Sequence, residues 1–282
     1  MNPIPARTKA TSTSIKWSGC TDRGKVRANN EDSFLGLHFN AKEVHHLGKH
    51  GDSAMGNMDF VFAVCDGMGG ALAGEFASRI AVEKITSLLP RSYQRSTTGL
   101  KKDIQSVFSE LYKQIHKSLA FLGNSYSECR GMETTLTLCW FAPGWVYFSH
   151  IGDSRLYKLS GKNGAIQQLS EDDTHVGWLL RNGKINEREA RSHPRRNVLQ
   201  KALGGDHQFV DPQVGAVTYE AGDTFLLCSD GLMDGLHEHQ ILELLHPSDS
   251  KVSLDNPAQL LVDASLKLSG RDNTTALVVT II

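Results

Sequence analysis

The chain has 282 residues, with 40% hydrophobic and 22% charged side chains, the balance of a globular protein that buries a sizeable core. A formal net charge of -1 and a pI near 6.9 argue against nucleic acid or a membrane surface as the main partner. No apolar run approaches the roughly 20 residues that span a bilayer. Cys20, Cys65, Cys129, Cys139 and Cys228 form no CxxC pair, and three of them lie in apolar strand-like runs. They are expected to be reduced core thiols in a cytoplasmic protein, with no disulfide frame and no zinc site.

In chain order, residues 1–14 are polar and rich in Ser, Thr and Pro, without an apolar signal-peptide core, and are expected to form a loose tail. A strand is predicted over 15–21, a charged loop over 22–32 and a short strand over 33–39. The stretch 41–59 is polar, carries His45, His46 and His50, and is expected to be a loop with incidental surface histidines. Residues 60–65, Phe-Val-Phe-Ala-Val-Cys, are apolar on both faces, as a central strand covered on two sides must be. That strand ends abruptly in Asp66-Gly67-Met68-Gly69-Gly70, where glycine permits a sharp exit and close approach to a ligand. A helix follows to about residue 89, with Phe76, Ile80, Ile85 and Leu88 assigned to its buried side. A second helix over about 100–122 carries Ile104, Val107, Phe108, Leu111, Ile115, Leu119 and Leu122 at three- and four-residue steps.

Strands are predicted at 134–141, 145–151 and from 156 to 159, the second ending in Gly152-Asp153-Ser154-Arg155. Residues 171–203 are charged and thinly apolar, with short helices near 176–185 and from 186, and are expected to lie outside the core as a flap. A strand at 224–228 ends in Ser229-Asp230-Gly231, with Asp234 shortly after it. A helix near 258–268 precedes Gly270-Arg271-Asp272-Asn273 and a β-branched terminal strand from 274.

Four aspartates, Asp66, Asp153, Asp230 and Asp272, therefore sit against apolar strands. Burying several like charges together costs several kcal/mol per ion unless a cation neutralises them. A ligand set of oxygens without paired Cys or His selects hard divalent ions, Mg²⁺ or Mn²⁺. Arg27 is a candidate bidentate phosphate contact. Other motifs fail: Leu72 stands where a dinucleotide fingerprint needs its third glycine, and neither GxxxxGK[ST] nor GxSxG occurs.

The ordered motifs Arg27-Ala28-Asn29-Asn30-Glu31-Asp32, Asp66-Gly67-Met68-Gly69-Gly70, Thr134-Thr135, Gly152-Asp153-Ser154-Arg155, Ser229-Asp230-Gly231 and Asp272-Asn273 resemble those of the PPM or PP2C-type metal-dependent protein serine/threonine phosphatases, in their bacterial form. The resemblance covers about 15–282 and implies one α+β domain, a four-layer α-β-β-α sandwich of two antiparallel sheets flanked by helix pairs, with a flap at about 171–197. It implies that Asp66 bridges two Mg²⁺ or Mn²⁺ ions, with Asp230 and Asp272 on the first and Glu31 and the Gly67 carbonyl on the second. Asp32 would hold metal-bound water, Arg27 the phosphate, and Asp153 with Asp230 and Asp234 a third, weaker ion. A metal-bridging hydroxide would attack phosphoserine or phosphothreonine of phosphoproteins without a phosphoenzyme. The resemblance further implies a cytoplasmic monomer that opposes a Ser/Thr kinase in signalling, without nucleic acid or membrane. Departures are Met68 for a histidine proposed as general acid in animal members, Glu133 for glycine and Asp173 for histidine. The alternatives are a pseudophosphatase that binds phosphoproteins, and a hydrolase of small phosphate esters.

Overall fold

In the computed structural model, residues 13–40, 42–70, 72–97, 103–205, 210–246 and 255–282 are described. The first half holds β1 (Ser14–Asp22), β2 (Asp32–Phe39), β3 (Val44–His46), β4 (His50–Ala54) and β5 (Asp59–Met68), then α1 (Ala73–Thr97) and α2 (Ile104–Ser125). Next come β6 (Glu133–Thr134), β7 (Leu136–Ala142), β8 (Trp145–Ile151), β9 (Arg155–Leu159) and β10 (Ile166–Gln168). The flap contributes α3 (His175–Arg181) and α4 (Glu187–Ser192), followed by β11 (Leu203–Gly204), β12 (Gln213–Thr218) and β13 (Thr224–Cys228). The chain finishes with α5 (Asp230–Gly235), α6 (Glu238–Leu245), α7 (Pro257–Leu268) and β14 (Thr274–Ile281).

One sheet runs β10-β9-β13-β14-β1-β4; in the other, β5 sits between β2 and β7, with β8 and β12 beyond and β6 and β11 carrying on from its far end. Every pairing is antiparallel.

Side-chain alternation along single strands sets the layers. From β5, Phe60, Phe62 and Val64 enter a core shared with Phe225, Leu227, Leu277 and Val279, which lies between the sheets. Val61, Ala63 and Cys65, on the other face, pack against Ile85, Leu89, Phe108, Leu111 and Ile115 of α1 and α2. Across the molecule Leu226, Cys228, Ala276 and Val278 meet α5, α6 and α7 through Leu232, Ile241, Leu261 and Val262. Three cores separate four layers, so the α-β-β-α sandwich expected from the sequence is present. All five cysteines are free, four buried and Cys129 half-buried.

The structure corrects several local expectations. On α1 the buried stripe is Ala73, Ala77, Ala81, Ile85 and Leu89, whereas Phe76 is 45% exposed. These positions recur every four residues on one face of the helix, and Phe76 falls outside that face. Ile80 and Leu88 only border this core. Helix α1 also runs through Pro90 to Thr97 instead of ending near residue 89. Proline removes one hydrogen bond and here does not stop the helix. The helix predicted from Leu100 begins at Ile104, where Asp103 caps it by accepting from the Ser106 amide at 2.7 Å; Leu100 itself, like residues 1–12 of the expected tail, lies outside the described residues. The segment expected as a loop over 41–59 contains β3 and β4, so His45, His46 and His50 stand on short edge strands, exposed as anticipated. In the flap, α4 starts at a capping box in which Asn186 and Glu189 bond each other's backbone amides.

Candidate active site

Antiparallel neighbours exchange ends, and that brings distant motifs together. β5 finishes where β2 begins, with Asp66 directly opposite Asp32. β13 finishes where β14 begins, with Cys228 opposite Ala276, two residues from Asp230 and four from Asp272. The turn between β8 and β9 adds Asp153.

Polar side chains lock these strand ends in place. The Thr135 hydroxyl accepts from the Asp66 amide at 2.9 Å, and the Asp66 carbonyl accepts from the Thr135 amide and the Thr134 hydroxyl. Thr135 also lies 2.8 Å from Ser154, which joins the Asp66 exit to the Asp153 turn. Asn273 donates to the Arg23 and Asn29 carbonyls and accepts from the Glu31 amide at 2.8 Å, fastening the charged loop to β14. Two glycines are required by close approach. A Cβ on Gly67 would stand 2.0 Å from the Gly74 carbonyl, and one on Gly231 would stand 2.0 Å from the Asn273 carbonyl. Gly74 in turn admits the Glu31 carboxylate, which a Cβ there would meet at 2.7 Å.

Arg27, Glu31, Asp32, Asp66, Gly67, Asp153, Asp230, Asp234 and Asp272 are linked here by contacts or by the pull of their charges on one another. Burial, then the charges of Asp32, Asp230, Asp153 and Asp272, hold the Asp66 carboxyl well above the usual carboxylate range. Asp230 is raised likewise by burial and by Asp153, Asp272, Asp234 and Asp32. Asp153 is pushed up to about 7 by burial and Asp172, against the pull of Arg155. Glu31 is raised by burial, and Arg27 offsets part of this. Asp66 and Asp230 thus feel several of the other carboxylates, as like charges in one partly buried site must.

Asp32 is 7% exposed. Its Oδ2 accepts from Ser229 at 2.7 Å and Thr275 at 2.6 Å, while its buried Oδ1 has no hydrogen-bond partner. Burial raises its pKa to about 6 despite those two bonds. Arg27 donates to Asp272 at 2.6 Å and remains 53% exposed. Arg196 stands 3.4 Å from Asp234. Among the described residues no ion pair reaches Asp66, Asp153 or Asp230. An unpaired, oxygen-only cluster with an orphaned buried carboxylate oxygen suits a hard divalent cation. Among the described residues no three such side chains enclose a single ion position as they stand.

Sequence reasoning missed two parts of the site. Glu75, in the first turn of α1, adds its charge to Glu31. Asp172 anchors the flap: Arg155 Nε lies 3.0 and 3.1 Å from its two oxygens and Nη2 lies 2.7 Å from Oδ2. Gln168 donates to the same carboxylate at 2.9 Å. The neighbouring Asp173 accepts from the Gly152 amide and donates its own amide to the Gly152 carbonyl, so it backs the Asp153 turn. Met68 and Glu133 face each other across β5 and β6. Between the flap and α5–α6 runs a groove of about 670 Å³, with Asp153 and Asp230 in its wall.

The protein phosphatase 2C family model matches residues 50–265. The serine/threonine phosphatase stp of Listeria monocytogenes is 34% identical over 260 residues, covering 92% of this chain and 93% of that protein. The crystal structure of the Mycobacterium tuberculosis serine/threonine phosphatase PstP/Ppp superposes with a TM-score of 0.74 at 32% identity, covering 95% of this chain and 98% of that one. A PstP catalytic domain in complex with 2 manganese ions gives a TM-score of 0.72 at 30% identity, covering 96% and 99%. With these relatives spanning nearly its full length, the chain belongs to the protein phosphatase 2C family, in its bacterial form.

Proposed function

We propose that this protein hydrolyses phosphoserine and phosphothreonine in phosphoproteins at a centre for two Mg²⁺ or Mn²⁺ ions. The observation that carries the reading is Asp66, half-buried, without an ion pair among the described residues, and repelled by four other aspartates. Asp66, Asp230 and Asp272 would hold one ion, and Asp66, Glu31 and the Gly67 carbonyl the other. Asp153, with Asp230 and Asp234, would hold a third and looser one. When bound, such ions supply a nucleophilic water at neutral pH and positive charge opposite the phosphoryl oxygens.

The chain's own groups do the rest. Arg27, exposed at the rim, leaves Asp272 to grip phosphate oxygens with its planar fork. Asp32, held through Oδ2 by Ser229 and Thr275, presents Oδ1 to orient a water. Met68 has no proton to give, so protonation of the leaving group would fall to a water beside Asp153. Residues 15–282 act as one catalytic unit, with the flap at 171–197 bordering the substrate groove. We place the protein in the cytoplasm as a monomer that opposes a Ser/Thr kinase. No helix among the described residues is long and apolar enough to cross a membrane.

Calorimetric ion counts with paired kinetics test the assignment. Asp66→Asn abolishes tight Mn²⁺ binding and turnover together. Asp153→Asn keeps two ions, and its loss of turnover is smaller on p-nitrophenyl phosphate, whose leaving group scarcely needs a proton. General acid help of this kind contributes about 10²–10⁴-fold. Two ions lost from Asp153→Asn, or an active Asp66→Asn, refutes the reading.

A further inference from the structure

Four guanidinium groups line the groove between the flap and α5–α6: Arg155, Arg191, Arg196 and Arg271. Three are committed. Arg155 is bonded to Asp172, Arg196 pairs with Asp234, and Arg191 donates to the Met233 and Leu236 carbonyls at 3.0 and 3.2 Å. Among the described residues Arg271 is exposed and has no hydrogen-bond or ion-pair partner. An arginine without a partner at a groove wall is a ready anion receptor, because its fork matches carboxylate and phosphate oxygens in pairs.

Its backbone is held firmly. The Lys25 amide donates to the Gly270 carbonyl at 2.7 Å, and Lys25 Nζ donates to the Leu266 and Ser269 carbonyls at the end of α7. Gly24 packs so tightly on this turn that a Cβ would meet the Asp272 carbonyl at 2.3 Å. On the other side of Arg271, the Asp272 carboxylate takes the bond from Arg27 and another from the Asn273 amide. The loop that presents Arg27 and the loop that presents Arg271 are therefore fastened to one another. One arginine stands at the carboxylate cluster and the other in the wall of the groove that leads from it.

We infer that Arg271 is a specificity residue that reads a second anion on the substrate, a carboxylate or a second phosphate close in sequence to the phosphoresidue being cleaved. The inference rests on the phosphatase reading above and deepens it. With the scissile phosphate at Arg27, beside Asp272, a peptide that continues into the groove brings a flanking side chain past Arg271. The favoured substrates are acidic or multiply phosphorylated segments.

The test uses phosphothreonine peptides that differ only in residues flanking the phosphothreonine: alanine, glutamate, or a second phosphothreonine. The wild-type protein in Mn²⁺ at low salt is expected to prefer the anionic peptides over the alanine peptide by about tenfold in kcat/KM, the worth of one charge-assisted contact. Arg271→Gln erases that preference, and Arg271→Lys, which keeps the charge without the fork, retains part of it. Added salt weakens the wild-type preference by screening. Preference for only one of the two anionic peptides tells whether the carboxylate or the phosphate is read. A preference that survives in Arg271→Gln, an equal loss on all three peptides, or no wild-type preference overturns the inference while leaving the phosphatase reading standing. A wild-type protein inactive on every peptide and on p-nitrophenyl phosphate overturns both.

Discussion

Replacing Arg155 with methionine keeps the apolar stem and removes the guanidinium that fastens the flap to β9. Asp172 then loses three contacts, at 3.0, 3.1 and 2.7 Å, and keeps the Gln168 amide as its donor. The Tyr157 hydroxyl loses its donor at 3.0 Å and keeps its own bond to Met233 Sδ. The two side chains are 24% and 15% exposed, so the stranded carboxylate is only partly rehydrated. Breaking a fully buried pair from one side costs about 3–5 kcal/mol, and partial solvent access brings this to about 2–4. At about 2.1 cal/mol/K per residue over 282 residues, a loss near 3 kcal/mol lowers Tm by about 5 °C. Thermal unfolding of the wild type, Arg155→Met, Asp172→Asn and the double variant, all at one Mn²⁺ concentration, closes a double-mutant cycle. Its coupling is expected at about 1–3 kcal/mol, and limited proteolysis should cut the flap faster in each single variant. Coupling below about 0.5 kcal/mol, or an unchanged flap, would refute the claim that this pair anchors it.

Excess Mn²⁺ should raise Tm relative to EDTA, since an ion at 100 times its dissociation constant adds about 2.7 kcal/mol to the folded state; coincident melting curves would break the link between the carboxylate cluster and metal. Replacing 171–197 with a short linker should reduce turnover of phosphoproteins far more than turnover of p-nitrophenyl phosphate, and equal losses would show that the flap helps build the reaction centre. His150 is buried with Nε2 3.0 Å from the Gly152 carbonyl and Nδ1 2.9 Å from Thr137, and burial lowers its pKa from 6.5 against the pull of Asp173 and Asp172. The unfolded chain then binds the proton more readily than the folded one, so stability is lost as pH falls below about 6.5. Urea unfolding of the wild type and His150→Gln should show their stability difference narrowing between pH 7.5 and 5.5.

The central strands were legible because alternation and apolarity on both faces of residues 60–65 demand a covered strand, and two separate cores claim those faces. The carboxylates were legible for a related reason: a charge at the end of an apolar strand stands out against its neighbours. What escaped has physical causes too. Hydrophobicity ranks Phe76 above Ala77, yet Ala77 falls on the buried face with Ala73, Ala81, Ile85 and Leu89 and Phe76 falls off it, 45% exposed. β3 and β4 are short, polar edge strands whose stability comes from their partners β2 and β1, so their own residues carry no periodic signal. Asp172 and Asp173 are adjacent and chemically identical. Only the fold decides that one faces Arg155 while the other backs Gly152.

The same logic explains why aspartate, glycine and threonine recur together at this end of the molecule. Burial and the neighbouring carboxylates raise the pKa of Asp66 and Asp230, a cost that any native state must offset elsewhere. The offset is visible in neutral groups: Thr134 and Thr135 on the Asp66 backbone, Ser229 and Thr275 on Asp32, and Asn273 across three segments. These donors fix where the carboxylates sit without cancelling their charge, whereas lysines or arginines in those places would neutralise it and remove the attraction for a divalent ion. Glycine at 67 and 231 then lets backbone carbonyls approach where a Cβ would collide, and Gly74 does the same for the Glu31 carboxylate. A scaffold of three apolar cores tolerates that repulsion, and a divalent ion at Asp66 would relieve it by favouring the charged form that burial and its neighbours otherwise disfavour.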